Sequence, residues 1–135
     1  MTRSSTARVL RAGAVAAVVS GAPSTAHALA TGRDPLESTR AAGSLALPRE
    51  RREARLLAAG VPVHLAVSLL WAVVLARTLP HRRPVAEGLA AGIAIHLLDY
   101  GAVGRRVPRL RALPTVPQLA DHLAYGVVVS VLTAR

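Results

Sequence analysis

The chain contains no cysteine, no phenylalanine and no lysine, and its other aromatics are one tryptophan and two tyrosines in 135 residues. Each absence excludes something. Without cysteine there is no disulfide framework, no thiolate nucleophile and no cysteine-held metal. With so few aromatics, a water-soluble core of this size lacks the side chains that bury the most area. Ala, Leu and Val carry the apolar content, 52% of residues with ten glycines beside them, and the mean hydropathy is +0.39. That composition suits helices packed closely in lipid, where association runs through small residues.

Negative charge is also scarce. Seven acidic residues face 17 basic ones, all arginine, for a net charge of +10. The arginines flank apolar segments instead of forming one face, and no nucleic-acid-reading module accompanies them. The partner they imply is a bilayer with anionic headgroups, and nucleic acid is not expected. The length allows a single domain, residues 1–135.

A spanning helix needs about 20 mostly apolar residues. The clearest candidate is LLAAGVPVHLAVSLLWAVVLA, residues 56–76, bounded by Arg55 and Arg77 and uncharged between them. Three weaker segments are 12–32, with a central Pro23; 84–104, with Glu87 and Asp99; and 114–134, with Asp121. Each can span only if its polar side faces other helices. The expected fold is all-α: an integral membrane four-helix bundle, multi-pass in the plasma membrane, with helices over about 10–31, 55–77, 84–104 and 114–134. Residues 33–53, 77–83 and 105–113 read as linkers, with Pro48 to Glu53 as a charged helix start and His81 as a solvated turn residue. Both sets of flanks are basic, so the positive-inside rule selects no orientation.

Residues 13–30, GAVAAVVSGAPSTAHALA, also satisfy the local rules for an export signal: Arg3, Arg8 and Arg11 precede an apolar run, and Ala-rich cleavage sites come after it. An internal match favours a helix of the fold instead. HLAVSLLWAVVLAR, residues 64–77, lies over HLAYGVVVSVLTAR, residues 122–135, without a gap. GAVAAVVSG, 13–21, lies more faintly over GLAAGIAIH, 88–96. The four segments then form two related helical hairpins in parallel repeat.

The third segment has the most informative spacing. Gly88, Gly92, His96, Tyr100 and Gly104 recur every four residues along one drifting face, with Asp99 beside them. Gly13, Gly21, Gly88, Gly92 and Gly126 are the expected helix-packing positions. Each of the four segments brings one histidine. His27, His64, His96, Asp99, Tyr100, Asp121, His122 and Tyr125 form the candidate polar intramembrane site. These residues could relay protons, or they could hold the bundle together by hydrogen bonds, with Asp99 and Asp121 meeting Arg105, Arg106 or Arg111 at headgroup level. Arg105, Arg106, Arg109 and Arg111 are the expected headgroup contacts.

No helix carries HxxxH or HExxH, so no metal site is expected. Neither GxSxG, a Walker motif nor a dinucleotide loop occurs, so no catalytic residue and no cofactor is assigned. Three functions stay open on the residues: a structural or partner-binding bundle, in a homo-oligomer or with another membrane protein; a small transporter or proton- and ion-handling component using the His/Asp stripe; and an exported protein with a cleaved signal.

The stretches RRVPRLRALPTVPQLADHLAYGVVVSVL, GLAAGIAIHLLDYG and GAPSTAHAL together resemble small multi-pass membrane proteins of high-GC actinobacteria that carry no assigned function. The matching element opens the last segment: Pro117, Gln118, Ala120, Asp121, His122, Tyr125 and Gly126. The resemblance implies a plasma-membrane protein with a retained first helix, and implies no activity, substrate or cofactor.

Overall fold

A computed structural model describes residues 3–134, and among these every regular element is helical. Arg135, which ends the second copy of the sequence match, lies outside the described residues. Helix α1 spans Arg3–Val19 and α2 spans Ala22–Ala30. Pro23 in the first turn of α2 explains the break between them: its ring cannot donate back to the Val19 carbonyl and crowds it. Helix α3 is Glu37–Ala46 and α4 is Glu53–Thr78, the latter running through Pro62 without stopping. Helix α5, Pro84–Leu98, continues into one π-helical turn, Asp99–Val103, and a 3-10 turn, Gly104–Arg106. A single turn, α6 (Pro108–Arg111), leads to α7, Thr115–Thr133.

Two of the expected linkers are more structured than their sequence suggests. Residues 33–53 hold the whole of α3, and α4 begins at Glu53, not at Pro48. Glu50 closes the intervening turn by accepting from the Arg51 and Arg52 N–H groups at 2.9 and 3.0 Å. In the 79–83 connection, Glu87 reaches back to the N–H groups of His81, Arg82 and Arg83 at 2.8, 2.9 and 2.9 Å. His81 itself is not a freely solvated residue: it is half-buried and takes a left-handed backbone, φ 55°.

Helix pairs close on glycine. A methyl group added at Gly88 would stand 2.6 Å from the Gly126 carbonyl oxygen, and one at Gly92 would stand 2.5 Å from that of His122. Helices α5 and α7 are therefore in backbone contact. At Gly13 the obstacle is Ala72 of α4, at 2.8 Å. The α3–α4 pair is the closest of all, with Gly43 against the Leu56 backbone and Gly60 against the Thr39 backbone. Gly21, expected in a seam, instead sits at the α1–α2 break with nothing within 4 Å of an added methyl.

The core mixes apolar with small polar side chains, and several large aliphatic side chains face outward. Ser20, Ser44, Ser68, His96, Gln118, Ser130 and Thr133 are buried beside Val9, Ala12, Ala16 and Ala72. Facing outward are Val18 (81% exposed), Val116 (79%), Leu29 (67%) and Leu97 (64%). Extended apolar surface of that kind needs a covering phase or partner.

Two stretches, Ser5–Ala30 and Glu53–Thr78, each of 26 residues, are long and apolar enough to cross a membrane. Residues 84–104 and 114–134 fall short of that measure, unlike the sequence expectation. The regular part of α5 is only 15 residues. Helix α7 carries Gln118, Asp121, His122 and Tyr125, which lower its hydropathy.

Candidate functional site

A half-open cavity of about 390 Å³ lies between α1–α2, α4, α5 and α7, with α3 and α6 forming its wall at one end. Six of the eight expected polar residues line it: His64, Asp99, Tyr100, Asp121, His122 and Tyr125. His96 lies just behind the lining. Its ring stacks on Tyr100, with centroids 4.7 Å apart and planes 22° apart, and meets His122 edge-on at 5.2 Å. His27, half-buried on α2, is not part of the lining.

The π-helical turn helps to assemble the group. The Gly104 N–H bonds back to the Asp99 carbonyl, five residues away. This wider turn inserts an extra residue and rotates the adjoining stretch relative to a plain α-helix. Tyr100, one turn on from His96, stacks on its ring, and the Asp99 carboxylate comes within 3.1 Å of His122 Nε2.

The other ring nitrogen of His122, Nδ1, lies 2.6 Å from the Gln118 carbonyl oxygen. A carbonyl only accepts, so Nδ1 carries a hydrogen. A hydrogen must also lie between Nε2 and Asp99. The pair is either imidazolium with carboxylate, or imidazole with carboxylic acid. In both forms it holds one proton more than neutral histidine plus carboxylate.

Asp121 has a different partner. Its Oδ1 accepts the Ser24 N–H at 2.9 Å, so it caps the first turn of α2 from a neighbouring helix. His64 Nε2 sits 2.9 Å from the Ala17 carbonyl and ties α4 to α1. Tyr125 donates its hydroxyl to the Ser68 carbonyl across the α4–α7 contact. Neither Asp99 nor Asp121 meets an arginine, contrary to the headgroup-level pairing that the sequence left open.

The arginine pairing occurs at the rim instead. Arg40, buried on α3, bonds Glu53 at 2.7 Å, reaches Glu37 at 3.5 Å and pairs with Asp34. Arg109 bonds Glu53 at 2.9 Å and approaches Glu37 at 4.0 Å, so its expected headgroup role gives way to an internal one. Arg105, Arg106 and Arg111 remain exposed at the same end. The Arg40 hydrogen bond, and next the Leu36 N–H, hold the Asp34 carboxyl below its usual range.

Sequence reasoning misses several residues of this site. Gln118, which bonds the Ser38 hydroxyl at 2.9 Å, is marked in the sequence only by a resemblance. Arg40 reads there only as a flank. Trp71, Ser24 and Ser38 line the cavity and carry no local signal. Gly43 and Gly60 are signalled: each comes directly after two alanines, in AAG.

Among the described residues, no group of three or more His, Asp or Glu is placed to hold a metal ion. Fold and site together define an all-helical protein with a half-open cavity lined by apolar, aromatic, histidine and aspartate side chains. No family model, no curated protein and no solved structure matches the chain.

Proposed function

We propose that the chain is a four-span protein of the plasma membrane whose internal cavity handles protons or a small solute, as a transporter or ion-handling component. The observation that carries this reading is the His122–Asp99 pair, a proton-holding group in the cavity wall. An ionisable pair at membrane depth is costly unless it serves a pathway or a tight contact. The apolar outer faces of α1, α4, α5 and α7 support four spans. The polar residues that lower the hydropathy of α5 and α7 point into the cavity or against neighbouring helices, where they cost less. Helix α1 buries Val9, Ala12 and Ala16, which supports the reading of residues 13–30 as part of the fold.

A structural or partner-binding bundle is the second reading. It is favoured by the glycine seams and by Tyr125 and Gln118, whose polar groups bond across helices. The exposed valines and leucines would then meet another copy or another membrane protein as well as lipid.

The test is proton movement into vesicles reconstituted with the full chain and loaded with a pH-sensitive dye, under a potassium diffusion potential. Acidification faster than in empty vesicles, lost in Asp99→Asn and His122→Gln, is the expected result. Rates equal to those of empty vesicles overturn proton handling. Reporters at residues 45, 80, 109 and 135 test the spans, with 45 and 109 expected on one side and 80 and 135 on the other.

A further inference from the structure

All the aromatic residues of the chain, Trp71, Tyr100 and Tyr125, line this one cavity. They come from three different helices and from a sequence with no phenylalanine, so the gathering is not a by-product of an aromatic-rich core. The charge of the wall is equally selective. The chain has 17 arginines and a net charge of +10, yet among the described residues no arginine lines the cavity, whereas Asp99 and Asp121 do.

The geometry points to a small organic ammonium ion as the occupant of this cavity, an inference that rests on reading the cavity as the functional site. The charges in the wall favour a single positive guest. The proton between His122 and Asp99 leaves that pair neutral overall. His64 is tied to the Ala17 carbonyl. Asp121 accepts the Ser24 N–H at 2.9 Å, and among the described residues no arginine lies beside it in the lining. Aromatic faces attract a cation through the ring quadrupole, most strongly when water is excluded, and cages of aromatic side chains recognise quaternary ammonium groups.

Among the described residues an anion finds no arginine in the lining. A bare metal ion lacks its ligand set among the described residues. A volume of about 390 Å³ lies within the usual range of small-molecule sites. The hydroxyl of Tyr100 is buried and has no hydrogen-bond partner among the described residues.

The single tryptophan supplies the assay, because its fluorescence comes from the cavity wall alone. The full chain in detergent would be titrated with benzyltrimethylammonium, with its uncharged isostere neopentylbenzene, and with benzenesulfonate. A saturable change in Trp71 fluorescence is expected for the cation, with at least tenfold weaker response to the other two. Asp121→Asn keeps an acceptor for Ser24 and should weaken cation binding at least tenfold, and Tyr100→Leu should weaken it several-fold.

Equal binding of cation and isostere overturns the inference, as does undiminished binding by a folded Asp121→Asn variant. If that variant does not fold, the cation-against-isostere comparison on the unmodified chain decides. Proton movement without ammonium binding refutes this inference and leaves the proposed function standing. Ammonium binding without proton movement does the reverse for proton coupling.

Discussion

Replacing Gly88 with alanine tests the backbone contact of the α5–α7 seam. The new methyl would lie 2.6 Å from both the Gly126 oxygen and the Val127 Cα, where ordinary contact begins at 3.4 Å. The obstacle is backbone on both counts, so no side chain can rotate away. The helices must part locally by about 0.8 Å, the overpacking situation that costs about 1–3 kcal/mol. Alanine recovers roughly 0.5–1 kcal/mol over glycine inside a helix. The net expectation is a destabilisation of about 1–2 kcal/mol, on the order of a tenfold change in the unfolding constant. Gly21→Ala is the matched control, since nothing lies within 4 Å of its methyl and its backbone is already right-handed. It should be neutral or slightly stabilising. Both variants can be unfolded by titrating sodium dodecyl sulfate into mixed micelles while monitoring Trp71 fluorescence. If Gly88→Ala unfolds at the same detergent fraction as Gly21→Ala, the backbone-contact argument for this seam is wrong.

Tyr125→Phe removes the hydroxyl bonded to the Ser68 carbonyl and should cost about 0.6 kcal/mol in the same titration, the average for hydrogen bonds between membrane helices. Arg40→Leu keeps bulk beside α4 but removes the cation of Asp34 and leaves Glu37 and Glu53 with Arg109 alone. Those carboxylates are partly exposed, so the loss should be held to about 1–2 kcal/mol and should appear as faster amide exchange in α3. Asp34 and Glu50 are held below their ordinary values of 3.8 and 4.5, Asp34 chiefly by Arg40 and Glu50 chiefly by the Arg52 and Arg51 N–H groups. A depressed carboxyl stabilises above its ordinary value and loses that contribution as pH falls through its lowered one. Protease cleavage in 31–52 should therefore accelerate below about pH 4 and be level from pH 5 to 7.

The range of the forces involved decides how much of the fold is legible in the sequence. The segment read as 55–77 is observed as Glu53–Thr78, because an uncharged apolar run between arginines is a local signal. The four-residue spacing of Gly88, Gly92 and His96 likewise predicts a shared face, and all three are buried. Helix α3 is not legible. Its ESTRAAGSLA is amphipathic at the helical period but short and only weakly apolar, so the stretch reads as a linker, and its position depends on Gly43 and Gly60 and on Arg40 meeting a carboxylate from α4. The pairing of Asp99 with His122 is equally hidden, since it depends on how α5 and α7 lie against each other. The aromatics at 71, 100 and 125 share no local pattern and meet only once three helices are in place.

The position of α3 also bears on cooperativity. Ten residues make a helix of about 15 Å, half the thickness of a bilayer core, so α3 cannot be a span in its own right. It packs chiefly on α4 and α6, outside the seams that join the long helices. Its release leaves Gly13, Gly88, Gly92 and Gly126 in contact. The chain thus contains a separable unit of ten residues, and unfolding need not be a single event. Trp71 borders the same cavity as α3, so its fluorescence should shift when α3 leaves, before the long helices unfold.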